Sequence, residues 1–407
     1  MKKIFYIVLS ALALASCVNL KTGDPYSEAL YRLVIEPSYP EDFPSEIKGG
    51  STITVTDRNR GNSYTQSTKA DGNAEIELPA GSYRVSYSSS YDGVSYNGSV
   101  DKVILDGSRS VSFSIRDARS GKIVFKEIYC GGCTKYPEEG TYNSDSYVIL
   151  HNNTSEVQYL DGLCFGVLDP YNANASNVWT STDPATGETI YPDFVPIVQA
   201  VWQIGGDGTR FPLEPGKDAV IVVYGAIDHA ATYPNSVNLN KSDYFVCYNS
   251  NYFNMTSYHP APGNNIQQER ILDVVVKLGE AKAYALSQVS PAVVIFRAPE
   301  GTDMREFVQQ EGSIIQKPGS AKDRIVKLPI GWVVDGVEVF QKGAANKKRL
   351  CSDIDAGAVD FSAKKEGHTL FRNTDKDATA VLGFEVLMDT NNSTNDFYER
   401  EKQSLHE

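Results

Sequence analysis

The chain has 407 residues, of which 41% are apolar and 22% charged, with 38 basic against 51 acidic side chains and a net charge of −13. Those fractions are ordinary for a globular protein, and the length allows two or three domains. The acidic balance excludes a nucleic-acid binder of the usual kind, which needs a basic footprint to displace counterions.

The first residues read as an export leader. Met1-Lys2-Lys3 is a positive start, and Ile4 to Ala15 is an apolar run, too short for the ~20 residues that span a bilayer. It closes as Leu14-Ala15-Ser16-Cys17. That ending resembles a bacterial lipobox, so residues 1–16 are expected to be a lipoprotein signal peptide and Cys17 the lipidated residue. The resemblance implies three acyl chains, enough for stable anchoring where one chain is marginal. No other stretch offers 18 consecutive apolar residues.

Residues 17–27 have no periodicity and read as a tether. From 28 to 118 the pattern is strongly period-two. Ile53 and Val55 alternate with Thr, Ala74, Ile76 and Leu78 with Glu, Tyr83, Val85 and Tyr87 with Arg84 and Ser86, and Val111, Phe113 and Ile115 with Ser. Each run predicts a strand with one face to a core and one to water. Turn signals separate them, among them Asp71-Gly72-Asn73 and Pro79-Ala80-Gly81, so the expectation is a small β-sandwich. The run Thr68 to Val85, with Asp71-Gly72, Leu78-Pro79, Gly81 and Tyr83 in place, resembles carboxypeptidase-regulatory-like domains. The resemblance implies a transthyretin-like sandwich of about 90 residues and is nearly silent on activity.

Ala118-Arg119-Ser120-Gly121 marks a boundary, and 119–400 reads as a second region. It opens with Ile123 to Tyr129, continues with Asp145-Ser146-Tyr147-Val148-Ile149-Leu150-His151-Asn152 and a Leu160-Asp161-Gly162 turn, then Phe211-Pro212-Leu213-Glu214-Pro215-Gly216 before Ala219 to Val222. This succession resembles a lamin-tail domain and implies an immunoglobulin-like sandwich. The region is far longer than such domains, and the surplus, at about 169–206 and 228–270, reads as two large insertions. The fold class expected is therefore all-β, two β-sandwich domains, with 401–407 a solvated tail. The whole arrangement is similar to uncharacterised Bacteroidota outer-membrane lipoproteins that join these two modules. It implies an outer-membrane, lipid-anchored, cell-surface location.

Candidate chemistry is sparse. Besides Cys17, five cysteines occur: Cys130, Cys133, Cys164, Cys247 and Cys351. Cys130-Gly-Gly-Cys133 follows a strand and precedes a Pro- and Gly-bearing loop. That context favours a loop disulfide or an unused pair over redox or zinc chemistry. The five histidines show no zinc-protease spacing, and no nucleophile elbow or phosphate loop occurs. Asp228-His229 is the best lone His candidate, with a plain loop residue as the simpler reading. Asp389 to Asp396 offers dense oxygen ligands for calcium, and equally serves Asx turns. No cofactor and no metal are expected.

The 24 tyrosines suit strand packing, or a stacking surface for sugars and other ring-shaped ligands. Trp179, Tyr191, Trp202, Tyr248, Tyr252 and Tyr258, all in the two surplus segments, are the candidate ligand-binding residues. Covering a sheet edge is the other use of such segments. The function read from this is a non-catalytic envelope binding or accessory module. The resemblance adds a TonB-dependent outer-membrane transporter, or another envelope protein, as partner. The alternatives are a structural or adhesive envelope component, and a hydrolase with its site in the insertions. Cys17→Ser is expected to abolish lipid labelling and release the protein from membranes. A correctly cleaved variant that stays membrane-bound would refute the anchor.

Overall fold

The computed structural model describes residues 29–91, 94–119, 121–184 and 189–406; the expected leader, Cys17 and tether lie outside them. The fold is all-β, and among the described residues only short helical turns lie between the strands.

The first region forms two sheets. Leu30–Ser38 lies between Ala74–Pro79 and Arg109–Ser114. The second sheet runs Ser63–Ser67, Thr52–Asp57, Gly81–Tyr91, Val94–Leu105, Arg116–Arg119. The apolar alternation maps onto the core as expected. Ile53 opposes Tyr87 and Val55 opposes Val85 in register, and all four are buried with Leu33, Leu78 and Phe113. Tyr83 turns its hydroxyl back to the Pro79 carbonyl at 2.9 Å. This ties the strand to the Pro-Ala-Gly turn before it and satisfies a polar tip inside an apolar body.

The opposite face departs from the expectation. Thr54, Thr56, Arg84, Ser86 and Asn97 are each at most 6% exposed. They face the second region, not water. The Arg84 guanidinium lies 4.9 Å over the Phe340 ring, Arg58 donates to the Asn346 carbonyl, and the Asn97 amide donates to the Thr390 carbonyl. A polar strand face reads the same whether it meets solvent or a polar partner, so alternation alone could not separate the two.

In the second region two larger sheets share one core. One runs Phe245–Val246, Asp218–Tyr224, Ser146–Asn152, Ile123–Tyr129, Thr369–Arg372, Phe397–Arg400. The other runs Ile314–Gln316, Arg324–Pro329, Phe194–Gln203, Cys164–Leu168, Ala292–Phe296, Val333–Gln341, Val359–Phe361, with Asp273–Lys277 also on Phe194–Gln203. Phe125, Leu150 and Ile221 from the first meet Phe165, Ile295 and Val339 from the second. The segment 169–206 is thus not a surface insertion throughout, because Phe194–Gln203 is an interior strand. In 228–270, Phe245–Val246 extends the sheet edge, while Val237, Leu239 and Tyr244 cover the outer face at Tyr147, Ile149 and Val222.

The tail expected in solvent is docked. Glu127 is fully buried. Its carboxylate accepts from Tyr147 Oη at 2.7 Å, from Ser404 N at 3.1 Å and from the Ser404 hydroxyl. A buried carboxylate without donors would be costly, and residues 403–405 supply them, with Leu405 packing beside Tyr147.

The Asp389–Asp396 loop is organised by Arg372, whose guanidinium takes the place a cation would have. Asp335 accepts from Arg372 Nη2 at 2.5 Å, Asp389 from Nη1 at 3.0 Å, and Asp396 lies 3.7 Å from Nη1. All four side chains are buried. Three carboxylates against one guanidinium leave excess negative charge in a low-dielectric site, which favours proton uptake. Burial pushes Asp335 up to about 7 and Asp396 up to about 8, with Arg372 opposing and Asp389 adding. The unfolded value is about 3.9. The folded state therefore holds extra protons above that value, and the stability they bring is lost as pH rises through 7 to 8. His229 and His259, pulled down to about 4 by burial, act in the opposite sense, but only below about 6.5. The melting temperature is thus expected to fall from about pH 6.5 to 8.5, and Asp396→Asn to flatten that fall. A wild-type melting temperature that is level or rising across this window would contradict the charge count.

Candidate functional site

A cleft of about 420 Å³ lies where the two regions meet. The first region contributes Ser99 and Val100 from Val94–Leu105, and Phe113 and Ser114 from the end of Arg109–Ser114. The second contributes Thr189 to Asp193 at the return of a small hairpin, Ser181–Thr182 with Thr189–Ile190, together with Ile330 and the Cys351-Ser352-Asp353 loop.

The lining has two chemical faces. Val100, Phe113, Ile190, Pro192 and Ile330 are apolar. Ser99, Ser114, Thr189, Tyr191 and Ser352 bring hydroxyls, and Asp193 and Asp353 bring carboxylates. Among the described residues no Lys, Arg or His lines it. Cys351 is its thiol, and burial, with Asp353 adding, raises its pKa. It is therefore a protonated thiol without a neighbouring base in the lining, a poor nucleophile. The cleft can hold a neutral or cationic ligand that offers hydroxyls and an apolar face. It repels anions.

The sequence candidates fall into three places. Tyr191 is in this cleft. Trp179 is not in its lining; it donates its indole N–H to Asp169 at 2.8 Å and meets Phe194 edge-on at 5.9 Å. Tyr248, Tyr252 and Tyr258 share a separate loop. Tyr248 stacks on His259 at 5.0 Å, while Tyr252, Met255 and Tyr258 are 40 to 58% exposed. Trp202 is a correction. It is fully buried in the core between Phe253, stacked at 5.6 Å, and Tyr284 at 5.2 Å, out of reach of a ligand at the surface. Nothing in the sequence signals that Ser99, Phe113 and the Cys351 loop share a site, because residues that meet only through packing of two regions leave no spacing signal.

The other motifs resolve into structure. Both Cys130 and Cys133 are unpaired and buried, each pushed up to about 12 by burial. Between them, Gly132 N–H donates to the buried Asp145 at 2.9 Å, and a Cβ on Gly131 would stand 2.2 Å from the Asp145 carbonyl oxygen. The Cys-Gly-Gly-Cys run is thus shaped to wrap a carboxylate, which also accepts from Tyr129 at 2.9 Å and Ser236 at 2.5 Å. His229 Nε2 faces the Gly225 carbonyl at 2.5 Å and must carry the proton, so Nδ1 accepts from Tyr142 at 2.6 Å. Both ring nitrogens are occupied, which removes Asp228-His229 as a base. Among the described residues no group of three His, Cys, Asp or Glu is placed to hold a metal ion.

The family model described as a protein of unknown function, DUF4876, matches residues 214–404. A crystal structure of a DUF4876 family protein from Bacteroides thetaiotaomicron is similar over 90% of this chain and 94% of that one, with a TM-score of 0.55 at 24% identity. At that identity the likeness is one of fold. A DUF3823 family protein from Parabacteroides merdae aligns over 44% of this chain and 83% of its own, with a TM-score of 0.18 and 16% identity, and supports no argument. No curated protein matches.

The two kinds of aromatic candidate separate by stability. Trp202→Ala is expected to cost about 3–5 kcal/mol in denaturant unfolding, whereas Tyr258→Ala should stay within about 0.5 kcal/mol of wild type. Equal effects would contradict the placement of Trp202 in the core.

Proposed function

We propose that this chain is a non-catalytic binding module of the cell envelope, lipid-anchored through Cys17 at the outer membrane. In this reading it serves as an accessory protein that captures a ligand for a larger partner, a TonB-dependent outer-membrane transporter. The observation that carries the binding role is the cleft between the two regions. Ligand sites favour such junctions, where concave surface forms without disturbing either core. Its hydroxyls, its apolar wall and its lack of cations suit a hydroxyl-rich neutral ligand such as an oligosaccharide. The anchor and the partner rest on the leader sequence and on the resemblance described above.

Cys351 makes the cleft readable. It is half-buried in the lining, while Cys130, Cys133, Cys164 and Cys247 are buried. In the folded protein, maleimide is expected to label Cys351 first. A neutral oligosaccharide identified on a glycan array should slow that labelling. Tyr191→Ala should weaken array binding about tenfold or more, within the range of one lost aromatic contact and its hydrogen bond. Array binding that is unchanged by both Tyr191→Ala and Ser99→Trp, in folded protein, would remove the cleft from the reading.

A further inference from the structure

The strand Phe194–Gln203 carries two partners end to end on one edge. Arg324–Pro329 pairs with its first half, Phe194 to Ile197, and Asp273–Lys277 pairs with its second half, Ala200 to Gln203. Between them stands Gln199, at φ 67°, a backbone region that a side chain of this size rarely adopts. Its carbonyl still accepts from Leu278 N at 2.7 Å, and there the second partner strand ends. The edge is therefore broken, and the break opens a notch of about 350 Å³.

Three cations line this notch, Lys277, Lys322 and Arg324, against one carboxylate, Glu280. Arg324 has no acceptor among the described residues. Lys277 donates to the Gly279 carbonyl and to no carboxylate, and burial pulls its pKa down from the ordinary lysine value. Lys322 pairs with Glu280 at 3.0 Å, but both side chains are about 70% exposed, so the pair is weakly held. The notch thus keeps a local excess of two positive charges in a chain whose net charge is −13. Such an excess, set in a concave gap and left without internal counter-charges, focuses the field on an incoming anion.

We propose that this notch is a binding site for a phosphate or sulfate group, with Lys277 and Arg324 as the principal donors and Glu280 as a gate that the anion displaces from Lys322. It is distinct from the cleft between the two regions, which lacks cations and repels such ligands. The group can arrive on a soluble molecule or on a lipid headgroup. The volume exceeds that of a bare oxyanion, so the carrier can enter with it.

The test titrates inorganic phosphate and sulfate into the full chain at constant ionic strength, reading binding by calorimetry and melting temperature. Wild type is expected to show a saturable response that chloride does not give. Lys277→Gln and Arg324→Gln, both partly or fully exposed and so not expected to unfold the chain, should each weaken binding about tenfold, since each removes a charge-assisted donor. Glu280→Gln should strengthen it several-fold, an opposite sign that a merely structural role would not produce. A parallel flotation assay with phosphatidylglycerol vesicles, run on wild-type and variant notches in a Cys17→Ser chain so that no acyl anchor holds the protein to the vesicle, identifies the carrier. Vesicle binding lost in the same variants assigns a lipid headgroup, and its absence beside intact phosphate binding assigns a soluble ligand. No saturable response in wild type, or the same response in all three variants, overturns the site.

Discussion

The guanidinium of Arg372 is the constraint on which the second region is arranged. Its Nε donates to the Phe125 carbonyl at 2.6 Å, its Nη1 to the Met388 carbonyl at 3.0 Å, and its plane lies 4.6 Å over Phe397. Through Asp335 it reaches the other sheet, and the same carboxylate oxygen accepts Phe125 N at 2.7 Å. Through Asp389 it reaches the linker, whose Gly121 N–H donates to that residue at 2.5 Å. Asp396 caps Thr390 N at 2.9 Å, and Thr390 is the residue that receives Asn97 from the first region. One buried cation thus fixes two sheets, a loop and the seam between regions. A second, Arg349 with Glu338, both fully buried, does the same locally, since Arg349 also donates to the Pro170 and Ser290 carbonyls at 2.9 Å. Buried ions without partners are strongly unfavourable, so each such node leaves the surrounding chain little freedom to repack.

The core of the first region was legible because period-two alternation reports directly on which side chains share a face. The burial of its polar face was not, because polarity does not say what lies opposite. The interface keeps that ambiguity physically. Arg84 Nη1 and Asn97 Oδ1 are buried there with no hydrogen-bond partner among the described residues.

Phe194–Gln203 was hidden because, measured against lamin-tail domains, 169–206 counts as surplus length, and its sequence does not plainly announce an interior strand. Pro196 cannot donate to a ladder, and a proline inside an apolar run argues against an interior strand. Here Pro196 sits opposite Lys327, and its carbonyl accepts Asp169 N at 2.9 Å, so the segment is held without the missing donor. Trp202 falls among the ligand-binding candidates because the whole segment 169–206 reads as an insertion. The tyrosines mostly resolve into packing. Tyr83, Tyr87, Tyr129, Tyr147 and Tyr284 are among the largest fully buried side chains. The cleft and the notch had no sequence signature, since the cleft arises from the packing of the two regions and the notch from strand pairings between distant segments.

The docking of residues 403–405 on Glu127 bears on how the second region can form at all. Ile123–Tyr129 lies between Ser146–Asn152 and Thr369–Arg372, so one of its two neighbours lies more than two hundred residues downstream. Closing such a loop has an entropic cost that must be met before any of its contacts form. A chain synthesised with its early residues first would hold Ile123–Tyr129 half-paired, with Glu127 lacking the Ser404 donors, until almost the last residues follow. The first region has all its strand partners within itself and is under no such delay. The two parts are therefore expected to mature in sequence, the earlier one standing complete as a surface onto which the later one closes.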